Sequence, residues 1–147
     1  MRFARRLVDV VGVVAWLALL TAGAAGQAPS SGQTPIVPEN ATALEGVPTV
    51  RLDATEEGAK RRRLRGAEAS DHRLRVAIVN GQYYWASREN RPLTVSSSGE
   101  FTYLSSTDPG HYVRFRRIND RLTYVEHVEM PQGSVTYWGE LRIVLGK

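Results

Sequence analysis

Cysteine is absent from all 147 residues. That single absence excludes disulfides, thiolate metal sites, a thiol nucleophile and lipid attachment through an N-terminal cysteine. Small exported domains often lean on disulfide bridges, so a core here must be held by packing alone. Long apolar runs are also scarce. The stretch from Val10 to Gly26 is shorter than the roughly 18 residues that a membrane-spanning helix needs. Histidine is limited to His72, His111 and His127, and none of them falls in a metal-binding spacing such as HExxH. No G-x-S-x-G elbow, S-x-x-K box or phosphate-cradling glycine loop occurs in a suitable context. Neither metal nor cofactor is expected.

What is present at the N-terminus is MRFARRLVDVVGVVAWLALLTAGAAG. Arg2, Arg5 and Arg6 precede an apolar stretch from Val10 to Leu20, and small residues follow, the layout of a secretory signal peptide. Cleavage after Ala24-Ala25-Gly26 leaves Gln27 first; retention as a membrane anchor is the competing reading. The segment implies a bacterial-type export route and a periplasmic or extracellular location.

The net charge of +4 invites a nucleic-acid reading, but its distribution argues against one. Residues 1–26 carry three Arg and one Asp, so the mature chain is left at +2. Residues 27–69 balance six bases against six acids, and the remainder carries ten bases and eight acids. A bulk polyanion field is therefore missing, and local clusters alone merit attention.

The chain divides into four parts. Residues 1–26 form the signal segment, and 27–52, with Pro29, Pro35, Pro38 and Pro48, read as a disordered linker. Residues 53–71, DATEEGAKRRRLRGAEASD, place acids before bases in the order a helix dipole favours and predict a short basic helix. Its Lys60 to Arg65 run is a solvated face or a contact for an acidic surface. Residues 72–147 show short β-type runs between turn signals. They predict an all-β fold, a small antiparallel meander of six to seven strands closing as a barrel, roll or sandwich. The strands lie near Leu74 to Val79, Gln82 to Ser87, Pro92 to Ser96, Glu100 to Leu104, Tyr112 to Ile118, Leu122 to Val128 and Val135 to Leu145.

Turn chemistry fixes which side chains share a face. Asn80-Gly81 is a two-residue hairpin signal, pairing Val79 with Gln82, Ile78 with Tyr83, Ala77 with Tyr84, Val76 with Trp85 and Leu74 with Ser87. Tyr83 and Trp85 then face the core, and Tyr84 turns away with Arg75 as its diagonal neighbour. The Asn119-Asp120 turn pairs Phe115 with Tyr124, Val113 with Glu126 and Tyr112 with His127. Val135, Tyr137, Leu141, Ile143 and Leu145 share one side of the last strand, which Gly139 marks as a site for a bulge or a sharp bend.

The candidate ligand-binding residues are the outward Tyr84 and Arg75, and Tyr112, Arg114, Arg116, His127 and Trp138. Aromatics stack planar or sugar rings, and arginines hold acidic groups. These residues point to a non-catalytic binding domain whose partner is a protein, an envelope polysaccharide or an acidic surface. Nucleic acid is an unexpected partner, and membrane contact is expected only through the signal segment or the Lys60 to Arg65 cluster. The alternatives are a structural subunit assembling through β-edges and a small hydrolase or metal-dependent enzyme around His127 and nearby glutamates.

Overall fold

Two turn dipeptides set the pairing of the strands around them. In the computed structural model, which describes residues 36–147, Asn80 and Gly81 have φ of 51° and 77°, and Asn119 and Asp120 have 46° and 63°. Consecutive positive values are what a type I′ hairpin requires. The signal segment and the first part of the expected linker lie outside the described residues.

The elements are β1 (Ala41–Thr55), β2 (Gly58–Arg63), α1 (Gly66–Asp71), β3 (Leu74–Val79), β4 (Gln82–Trp85), β5 (Arg91–Ser98), β6 (Phe101–Ser105), β7 (Tyr112–Ile118), β8 (Arg121–Met130) and β9 (Gly133–Leu145). From β3 to β9 each strand pairs antiparallel with the next. β1 joins β3 on one side and β9 on the other, closing eight strands into a barrel. β2 is an additional strand, hydrogen-bonded to the part of β1 that extends beyond β3.

Residues 72–147 supply the seven strands β3 to β9, but the fold does not begin there. The expected linker over 27–52 and helix over 53–71 give way to β1 and β2 from Ala41 to Arg63, and the helix shrinks to Gly66–Asp71. Proline misled the linker reading. Pro48 sits where the β1 to β9 register shifts between Pro48 and Val50, one of the few places a strand tolerates a residue without an N–H. Acid before base reflects a hairpin rather than a helix: Glu56-Glu57 form the turn between Thr55 and Gly58, and the basic run returns as β2. Every residue of β2 is exposed, and Lys and Arg suit an edge strand because they discourage unwanted pairing.

The barrel interior is filled, not hollow. Trp85, Tyr124 and Phe115 are its largest fully buried side chains, packed among leucines and valines from most of the strands. A second apolar cluster of Leu64, Ala69, Val135 and Tyr137 lies beneath α1. This six-residue helix has no side-chain N-cap and is too short to persist by propensity, so the burial of Ala69 holds it in place.

Both hairpin registers match the turn chemistry from Val76↔Trp85 to Val79↔Gln82 and from Tyr112↔His127 to Ile118↔Arg121. The Leu74 to Ser87 pair does not form. The ladder stops at Trp85, and the Ser87 N–H instead donates to the Arg75 carbonyl (3.1 Å), out of step with it. Leu145 is 54% exposed rather than buried, since the β8 ladder ends at Leu141 and β9 continues there beside β1 alone.

At Gly139 the irregularity falls on the β1 side, where the register shifts between Pro48↔Gly139 and Val50↔Trp138, while the β8 to β9 ladder passes through without a shift. The smallness of Gly139 admits both the β1 backbone at Val47 and Pro48 and the Tyr124 ring. A Cβ at Gly139 would come 2.8 Å from Tyr124 Cε1, and one at Gly46 would come 2.5 Å from the same atom. The ring therefore packs on two bare backbones. Replacing either glycine by alanine is expected to destabilise the fold by about 1 to 3 kcal/mol through overpacking. Tyr124→Phe, which deletes a buried hydroxyl lacking any hydrogen-bond partner, should cost little or stabilise. Urea denaturation of the three variants checks both expectations.

Candidate functional site

Antiparallel register partners share a face, so the ladders place residues on the outer wall row by row. One row runs Tyr103, Arg114, Val125, Trp138, Val50 and Arg63 across β6, β7, β8, β9, β1 and β2. The next runs Ser105, Tyr112, His127, Thr136, Leu52 and Arg61 over the same strands. The centre of this face is half-buried and largely apolar; the β2 end carries Arg63 and Arg61, and Arg114 lies near the β6 end.

Contacts within the face are specific. Tyr112 stacks on His127 with centroids 5.3 Å apart and planes 25° from parallel. Tyr103 lies 6.3 Å from Tyr112 and 6.2 Å from Phe101. The guanidinium groups of Arg114 and Arg116 sit over the Phe101 ring at 5.2 and 4.9 Å, distances at which a cation is drawn to a ring face. His127 Nδ1 is 2.8 Å from Thr136 Oγ1. Arg116 is ion-paired with Glu100. Arg114 has no carboxylate partner among the described residues, and its buried Nε meets no acceptor.

Five of the seven expected residues, Tyr112, Arg114, Arg116, His127 and Trp138, thus occupy one wall on β7, β8 and β9. Tyr84 and Arg75 belong to β4 and β3, four strands around the barrel from β8 for Tyr84. Arg75 is engaged there by Glu45 (3.8 Å), which also pairs with Arg142. The Arg142 hydrogen bond is the main influence holding the Glu45 carboxyl below the usual range. Phe101 and Tyr103 were missed as members of the wall, although their alternation on β6 was readable.

A different polar group lies inside the barrel. Glu126 alternates with Tyr124 and Leu122 on the inner face of β8 and is only 2% exposed. Arg88, in the loop after β4, donates to Glu126 Oε1 through Nε and Nη2 at 3.2 and 3.1 Å. Burial raises the Glu126 pKa, and the charge and hydrogen bonds of Arg88 oppose that rise only in part. The Trp85 indole N–H also favours the charged form, yet it reaches no acceptor at hydrogen-bonding geometry; Arg88 is the partner that matters.

A third group lies between β1, β9 and the end of α1. Arg51 Nη1 is 3.2 Å from His72 Nε2. A guanidinium donates and never accepts, so Nε2 must be the acceptor and the neutral ring carries its proton on Nδ1. That N–H then faces the Tyr137 hydroxyl oxygen at 3.3 Å. Protonation of the ring would break the Arg51 bond and set two cations together. Burial first, and then Arg51 and Arg62, accordingly lower the His72 pKa.

Two open depressions lie on the surface of the described residues. An open depression of about 330 Å³ is lined by Arg117, Arg121, Glu140 and Ile143 among others. A second, of about 520 Å³, includes His127, Glu129, Glu56 and Ser134. Among the described residues no three His, Asp or Glu side chains converge as a metal site would need. Comparison of the chain with protein-family models, with curated proteins and with solved structures finds no match.

The two titrating groups act in opposite directions on stability. Folding raises the Glu126 pKa, so its contribution is full below the ordinary glutamate range and is lost as pH rises through the folded value. Folding lowers the His72 pKa, so its contribution is present above the ordinary histidine range and is lost as pH falls through the folded value. Glu126→Gln should flatten the first decline and His72→Gln the second, in urea unfolding measured across a pH series. Arg88→Ala, leaving a buried carboxylate unpaired, should cost about 1 to 3 kcal/mol; Arg88 is 39% exposed, which keeps the loss below that of a fully buried pair.

Proposed function

We propose that this chain is an exported, non-catalytic binding domain whose contact surface is the outer Tyr/Arg wall of β6 to β9. Its ligand is a protein, an envelope polysaccharide or an acidic surface. One observation carries the reading: Arg114 lies over Phe101 in an aromatic strip, with no carboxylate among the described residues to neutralise it. Its neighbour Arg116 is matched by Glu100, and the inward Arg88 by Glu126. A free guanidinium framed by half-buried rings offers an acidic group a charge-assisted hydrogen bond, with apolar contact on either side.

Tyr84 separates this wall from the opposite one. With the mature chain as bait on an envelope fraction, Tyr112→Ala and Arg114→Ala should abolish capture of the partner while thermal unfolding stays nearly unchanged. Tyr84→Ala should leave capture intact. Loss with Tyr84→Ala and retention with the other two would move the contact surface to β3 and β4, and retention in all three would remove the wall from consideration.

The second reading, assembly through β-edges, is favoured by β2. Among the described residues each strand of the barrel has a neighbour on both sides, whereas β2 has one.

A further inference from the structure

We propose that β2 is a docking edge for an extended acidic segment of another protein, added alongside it as a further antiparallel or parallel strand. The edge lies at the β2 end of the outer face, whose rows finish on Arg63 and Arg61, away from the aromatic cluster on β6 to β8, and its case rests on different observations. β2 ends the strand order, with β1 on one side and no neighbour on the other among the described residues, and all six of its residues are exposed.

The orientation of its amides follows from the local geometry. The Leu64 N–H, just beyond the strand, donates to the Thr49 carbonyl at 2.9 Å. Amides alternate sides along a paired strand, so those of Lys60 and Arg62 also turn toward β1. The N–H groups of Ala59, Arg61 and Arg63 then point to the open edge, ready to receive carbonyls from an incoming chain.

Charge selects which chain. Arg62 is matched by Asp53 (3.8 Å) and Glu68 (2.6 Å). Lys60, Arg61 and Arg63 form no ion pair among the described residues. Basic residues on an edge keep most strands away, including β2 of a second copy, which would bring like charges together. An acidic strand is the one whose approach they favour. Lys60 lies on one face of β2 and Arg61 and Arg63 on the other, so acids on either face of the added strand find a base.

The test uses the mature chain and three synthetic peptides of about ten residues, the length of a long strand: alternating Glu and Thr, alternating Glu and Pro, and alternating Lys and Thr. Fluorescence anisotropy should show binding of the Glu/Thr peptide and at least tenfold weaker binding of the equally charged Glu/Pro peptide, whose prolines cannot complete the ladder. The Lys/Thr peptide should not bind. Hydrogen exchange at the Ala59, Arg61 and Arg63 amides should slow in the Glu/Thr complex.

Arg61→Pro removes one open-edge N–H without touching the bonds to β1 and should weaken binding at least tenfold. Should that variant fail to melt like the parent, the Arg61→Glu and Arg63→Glu pair replaces it with the same expectation. Equal binding of the Glu/Thr and Glu/Pro peptides would reduce the effect to charge attraction and overturn the proposal, as would absence of Glu/Thr binding or protection confined to other strands. Tyr112→Ala and Arg114→Ala should leave Glu/Thr binding unchanged; loss there would put the peptide on the wall instead and equally overturn the edge assignment.

Discussion

The pairing of β1 with β9 is the contact on which the other features stand. It runs from Ala41↔Leu145 to Thr55↔Gly133 and turns an open meander into a closed barrel. Closure removes the exposed edges that an eight-strand antiparallel sheet would otherwise present. It also encloses Trp85, Tyr124 and Phe115 without a single disulfide. The far end of β1, past its register shift, carries β2 and lies against α1, so the helix, the basic edge and the His72 network all depend on the same strand.

Where local chemistry decides structure, the sequence was readable. Asn80-Gly81 and Asn119-Asp120 accept left-handed backbone more readily than other residues do, and once such a turn is fixed the alternation of side chains follows. Seven strands were placed in this way. β1 was not, because nothing local makes it a strand: Gly46 and Pro48 read as breakers, and what overrides them is packing against Tyr124 and pairing with residues some ninety positions later. Long-range closure leaves no mark within a short window.

The candidate site was legible in part for the same reason. Pairing Tyr112 with His127 put both on one face, and the arginines came with them. How the wall continues through Trp138 and Val50 to β2 depended on strand order, which alternation alone does not contain. Glu126 is a different kind of miss. The register that pairs it with Val113 already placed it on the apolar face. Its partner Arg88 lies 38 residues away in a loop, where only the folded chain brings the two together.

Closure also has a kinetic side. β1 is synthesised before the rest of the barrel, and its longest partner, β9, comes last. Until β9 arrives, β1 can gain only the short β3 ladder and the β2 hairpin, leaving the edge meant for β9 unpaired and Leu44 and Gly46 without the strand that covers them. Folds dominated by such distant pairings pass their barrier slowly, and open strand edges on the way are sticky. The two ends of this barrel therefore meet in one late step, and the interval before it is when the chain is most exposed to other chains.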